Sequence, residues 1–166
     1  MTSIETVVNK ARVLTRSGDD AGAMRLVCEL LDKFPEEKSP LAFRAHLHSM
    51  NGAYQQSWLD LSRAMLVDPL DPCLFYLRGD CSLQLGQAEA ALADFDDGLA
   101  LCDQKGDNYC RDTLIFLRAE ALISLGRTID AARSLQQLPD DFSFWTPKLR
   151  TKADLLRDCC GDGGHG

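Results

Sequence analysis

The chain has 166 residues, 45% apolar and 26% charged, a balance that fits one folded domain with a sizeable core and excludes a disordered polymer. Its net charge of -7 comes with no cluster of Lys and Arg able to displace counterions from phosphates, so nucleic acid is excluded as a partner. Charges at Glu5, Lys10 and Arg12 break up the N-terminal stretch and no apolar run approaches ~18 residues, so neither a signal peptide nor a membrane span is expected.

In chain order, the first helix is predicted from about residue 3 to just before Gly18, and a second follows that glycine and stops at Pro35. The next pair opens at Ser39-Pro40, turns at Gly52 and stops at Pro69. A third opens at Asp71-Pro72 and turns at Gly86, and a fourth runs from about residue 110 through Gly126. Ser39 and Asp71 each offer a capping oxygen before a proline at a first helical turn, where the missing N–H costs nothing. Thr146-Pro147 opens a last helix over 146–158, with Leu149, Ala153, Leu156 and Cys160 as its one-sided apolar stripe.

The punctuation is periodic. Gly18, Gly52 and Gly86 stand 34 residues apart, as do Pro35 and Pro69, and Arg44 and Arg78. Gly126 follows Gly86 by 40, which places six extra residues in the fourth unit, within "CDQKGDNYC" between Cys102 and Cys110. Small residues at Ala11, Ala45, Gly79 and Ala119 face Ala23, Ser57, Ala91 and Ala131 and let paired helices approach closely. About nine helices and no sheet are predicted.

Small residues at those two helix positions, Phe95 four places after Ala91, Ala64 or Gly98 beyond, and a closing proline at 34-residue intervals resemble the tetratricopeptide repeat. The resemblance is strongest in "CLFYLRGDCSLQLGQAEAALADFDDGLALC"; no unit carries the early tryptophan often found in the family. It implies an all-α solenoid of about four helical hairpins over 1–143 (repeats 4–37, 38–71, 72–105 and 112–143). A C-terminal capping helix over 144–160 and a flexible tail over 161–166 complete the expected organisation.

Chemistry is sparse. His46, His48 and His165 are the only side chains that titrate near neutrality unperturbed, and His46 and His48, two apart, point to different faces of a helix. His48 falls among helix-packing positions. Cys159-Cys160 with His165 lacks the ligand number and spacing of a zinc site, and no glycine-rich phosphate loop is present. "ADFDD" lacks the alternation of a calcium loop and reads as a solvated outer face. The recurring Arg44, Arg78 and Arg118 read as part of the stacking unit, each guanidinium meeting a carboxylate or a helix end. Seven cysteines without framework spacing read as reduced thiols, Cys73 and Cys81 being too far apart along one helix to bridge. No catalytic residue, metal or cofactor is expected, and the location read from these features is cytoplasmic.

What the resemblance implies for function is a concave groove lined by the first helices. Carried onto this chain, its binding positions are Arg12, Arg16, His46, Met50, Tyr76, Asp80, Leu83, Phe116, Glu120 and Ile123. One row, Arg12, His46, Asp80 and Glu120, runs from basic to acidic. The row beside it, Val8, Ala42, Tyr76 and Phe116, grows from small to aromatic. Such a groove suits an extended or helical segment of another protein with apolar anchors and basic residues, bound by a monomer or weak dimer. The competing expectation is that the C-terminal "FSFW" folds back and occupies it. The basic clamp that some members use on acidic chaperone tails is missing, with Val8, Arg12, Cys73 and Leu77 at its positions. Scaffold or adaptor is the leading reading. A small acidic chaperone of the type III secretion class II kind, or an immunity protein neutralising a toxin or enzyme, are the alternatives.

Overall fold

The computed structural model describes residues 3–106, 109–145 and 149–160. Among them are nine helices: α1 (Ile4–Arg16), α2 (Asp20–Lys33), α3 (Lys38–Met50), α4 (Tyr54–Val67), α5 (Pro72–Gln84), α6 (Ala88–Lys105), α7 (Arg111–Ser124), α8 (Thr128–Leu135) and α9 (Lys152–Cys160). Two short strands, β1 (Ser143–Trp145) and β2 (Leu149–Thr151), precede the last helix. The chain divides into two compact units, residues 1–74 and 75–166.

In the first unit α1 packs on α2, α2 on α3 and α3 on α4. The core is small and aliphatic: Val8, Ala11, Ala23, Val27, Leu41, Ala45, Leu47 and Leu61 are all buried. Lys38 fastens the start of α3 to the end of α4, its ammonium 2.8 Å from Asp68 and 3.1 Å from Asp71. Asp71 also accepts from the Cys73 N–H at 3.0 Å, the cap expected at Asp71-Pro72. The cap expected from Ser39 does not form: α3 begins at Lys38, two residues before the Pro40 start that a Ser39 cap implies, and the Ser39 hydroxyl bonds Glu5 of α1 at 3.2 Å instead.

In the second unit α6 packs on α7, α7 on α8, and α9 on both α7 and α8. Phe95 and Phe116 are its largest fully buried side chains, joined by Leu114, Leu117, Leu122, Leu135 and Leu155. Gly79 explains how α5 and α6 approach: a methyl group there would sit 2.4 Å from the Phe95 ring. Four of the six extra residues of the fourth unit extend α6, which has 18 residues where α2 and α4 have 14, and which closes on Gly106 in the left-handed region at φ 66°.

Each hairpin turn is the same device. The N–H of Asp19, Ala53, Gln87 and Arg127 reaches back five residues to the carbonyl of Leu14, His48, Ser82 and Leu122, at 2.8 to 2.9 Å. This six-residue closure needs the residue before the donor to be left-handed, and Gly86, at φ 73°, illustrates why the period is written in glycines.

The C-terminal region departs from expectation. In place of a helix from residue 144 there is an antiparallel two-stranded sheet, with Ser143 opposite Thr151, Phe144 opposite Arg150 and Trp145 opposite Leu149. Residues 146–148, where Thr146-Pro147 was read as a helix start, and the tail 161–166 lie outside the described residues. The helix starts at Lys152 because Thr151 and Asp154 close a reciprocal cap: the Asp154 carboxylate accepts from the Thr151 N–H at 2.9 Å, and the Thr151 hydroxyl accepts from the Asp154 N–H at 3.1 Å. Its buried stripe is accordingly Lys152 and Leu155; Leu149 is exposed on the strand, and Ala153 and Cys160 face solvent.

Candidate interaction surface

The recurring arginines belong to the hairpins. Arg44 grips buried Asp60, sixteen residues on, through Nε at 2.7 Å and a terminal nitrogen at 2.6 Å; Arg78 grips Asp94 in the same way at 3.0 and 2.5 Å. The Asp60 carboxylate holds the Arg44 guanidinium firmly in its charged form. Asp94 is therefore not on a solvated outer face, as "ADFDD" suggested, because the register that repeats Arg44 as Arg78 also repeats Asp60 as Asp94. In the fourth hairpin the position sixteen residues after Arg118 is Ser134. Arg118 bonds that hydroxyl at 2.7 Å and takes its carboxylate from Asp96 of α6 at 2.5 Å. His48 is half-buried with its Nε2 3.9 Å from Asp60.

The groove positions of the first unit lie on α1 and α3. Arg12 stacks over the Phe43 ring at 5.9 Å. His46 keeps an exposed edge, yet partial burial and then the Arg12 charge hold its imidazole below its ordinary value, against the opposing pull of Asp20. Arg16 and Met50 are exposed at the C-terminal ends of the two helices.

The second unit carries the other six on α5 and α7. Tyr76, Asp80, Leu83, Glu120 and Ile123 are half-buried, and Phe116 is fully buried. Burial raises the Asp80 carboxyl above its usual range, partly offset by a 3.2 Å hydrogen bond from Gln84. Burial raises Glu120 as well, and the charges of Asp80 and Asp158 push the same way while Arg150 opposes them. Glu120 thus stands in a poorly solvated place within reach of the Asp80 charge.

What covers that place is the C-terminal segment. Phe142 and Phe144 stack on Phe116 with centroids 5.4 and 6.3 Å apart, and Arg150 bonds Glu120 at 2.6 Å while its other terminal nitrogen pairs with Asp158. Phe116 was expected on an open groove; it lies beneath the folded-back "FSF" of the competing expectation. The signal lay in "FSF", aromatic residues at a spacing of two, which suits a strand better than a helix.

Elsewhere, a cleft of about 400 Å³ among α6, α7 and α8 is lined by Arg111, Arg118, Arg127 and Arg133. Asp103 pairs with Arg111, Asp96 with Arg118, and Asp130 with both Arg127 and Arg133. Cys28, Cys81, Cys102, Cys159 and Cys160 are thiols, whereas Cys73 and Cys110 are disulfide-bonded. The reading of uniformly reduced cysteines is corrected at those two positions; the helical spacing argument excluded a Cys73–Cys81 bridge alone. Among the described residues no three His, Cys, Asp or Glu side chains are grouped to hold a metal ion, and no helix is long and apolar enough to cross a membrane.

The fold is that of tetratricopeptide-repeat proteins. The chain is similar to the crystal structure of MamA protein, with a TM-score of 0.69 and 16% identity, covering 79% of this chain and 68% of that one. MamA from Desulfovibrio magneticus RS-1, from residue 41 to its end, gives 0.69 and 16% over 82% and 75% of the two chains. YrrB, described as a TPR protein with an unusual peptide-binding site, gives 0.68 and 16% over 81% and 66%. No protein-family model and no curated protein matches the sequence.

Proposed function

We propose that this chain is a non-catalytic interaction module that holds a segment of another protein on the first-helix face of its hairpins. The observation that carries this reading is the chemistry of the α7 face: Glu120, four residues from Phe116, engages a guanidinium while Phe116 engages aromatic rings, and Asp80 of α5 adds a second poorly solvated carboxylate whose charge acts on Glu120. A surface that desolvates carboxylates next to an apolar ring favours a ligand with a cation beside an aromatic group. The peptide-binding description of YrrB supports the class of function.

The test is capture of displayed ten-residue peptides that carry an aromatic residue and an arginine. Tyr76→Ala, one turn before Asp80 on α5, is expected to weaken capture roughly thirtyfold, the equivalent of ~2 kcal/mol for truncating an aromatic anchor. Glu89→Lys with Asp97→Lys, both exposed on α6, serves as the charge control and should leave capture unchanged. Loss in the control with no loss in Tyr76→Ala would move the interaction off the α5–α7 face.

A further inference from the structure

Resting on that reading, we propose that residues 142–145 and 149–150 are an internal ligand of the α7 face, displaced by a partner segment that presents an aromatic side chain and an arginine side by side. The argument begins with the pleat. Phe144 and Arg150 are directly opposite in the strand pair, so their side chains leave the same face of the sheet, and Phe142, two residues before Phe144, leaves it too. On α7, Phe116 and Glu120 are four residues apart and share a helix face. One face of the hairpin therefore matches one face of the helix: ring on ring at Phe116 and guanidinium on carboxylate at Glu120. The opposite face of the hairpin, with Ser143 and Leu149, is exposed.

Two features make this contact exchangeable. Each strand has three residues, too few for the hairpin to hold its own shape, so its order depends on the contacts with α7. Arg150 also serves two carboxylates at once, Glu120 and Asp158. When a partner's arginine takes Glu120, Arg150 keeps Asp158, and neither charge is left stranded. Meanwhile α9 stays fastened from below by Leu155 and by Lys152, whose ammonium bonds the Leu138 carbonyl at 2.7 Å and Asp140 at 2.8 Å. The strap can thus lift without unfolding the cap. Its tether gives it an effective concentration on the order of millimolar, which a partner must exceed.

The probe is a labelled synthetic peptide of residues 142–151, FSFWTPKLRT, titrated by fluorescence anisotropy into the full chain and into Phe144→Ala with Arg150→Ala. The double variant should bind it at least roughly tenfold more tightly than the unaltered chain, because its own strap no longer competes. Adding Glu120→Gln to the variant, or replacing the peptide's arginine by alanine, should abolish that gain. Equal binding to both chains overturns the proposal. So does absence of binding to a variant with unchanged helical circular dichroism at ~1 mM peptide, the scale of a short tether. Self-association of the variant in place of peptide binding also overturns it. If the variant does not fold, hydrogen exchange on the unaltered chain decides: saturating peptide should raise exchange at residues 143–145, 149 and 150, and at Lys152, whose N–H bonds the Phe142 carbonyl, but not in the rest of α9, and unchanged exchange sinks the idea. Library capture that responds to Tyr76→Ala but not to the strap variant would leave the interaction surface standing and remove the strap alone.

Discussion

At the scale of single residues, the strongest constraint is the arginine that recurs on the first helix of a hairpin and its partner sixteen residues later. A buried carboxylate whose cation is held in a fork cannot lose one member without leaving a charge out of water. Asp94→Ala should therefore cost about 3 kcal/mol in urea denaturation, whereas Glu89→Lys with Asp97→Lys on the same helix should stay within ~0.5 kcal/mol of the unaltered chain. The pairing was half legible in the sequence. The arginines announce themselves by their interval, but Asp94 sits in a run of acids where nothing in composition separates the buried member from exposed Asp96 and Asp97; the structure does, placing it opposite Arg78.

At the scale of elements, the helices were legible because glycine and proline act through backbone sterics that neighbours cannot override. The C-terminal hairpin was not, because three-residue strands carry too little periodicity to register, and their stability comes from Phe116, far away in sequence. The cap helix shows the same rivalry. Thr146-Pro147 reads as the helix start; the helix begins instead after Thr151, where Asp154, a carboxylate at the third helical position, closes a reciprocal cap that satisfies two N–H groups. This shifts the buried stripe to Leu155, which is 1% exposed. Leu155→Asp is expected to destabilise the second unit by ~3 kcal/mol or more, with Leu149→Asp on the exposed strand face as a near-neutral comparison. Equal melting temperatures for the two would show that α9 does not pack through Leu155.

At the scale of the whole chain, the two units differ in how they answer to acid. His46 is held low, so around its ordinary value the folded first unit binds fewer protons than the unfolded chain, and its stability should rise with pH through that window. Asp80 and Glu120 are held high, so their own contribution to the second unit should fall as pH climbs from the ordinary carboxylate value through the raised ones, against Asp130, Asp140 and Asp154, which are held low and contribute with the opposite sign. Amide exchange measured unit by unit against pH should show the slope of the second unit becoming more positive in Asp80→Asn and that of the first becoming less positive in His46→Gln; unchanged slopes would contradict the assignments. Which positions correspond was legible from register: Arg12, His46 and Asp80 by intervals of 34, and Glu120 by an interval of 40. The cover of Glu120 was not, because register says nothing about a segment outside the repeat. One consequence remains in the arginine of the fourth hairpin. Arg44 and Arg78 each close on a carboxylate of their own hairpin, but Arg118 reaches back to Asp96 of the preceding one. A hairpin that borrows its counter-ion is stitched to its predecessor, so α6, α7 and α8 should protect their amides as one cooperative block rather than fray from the C-terminal end.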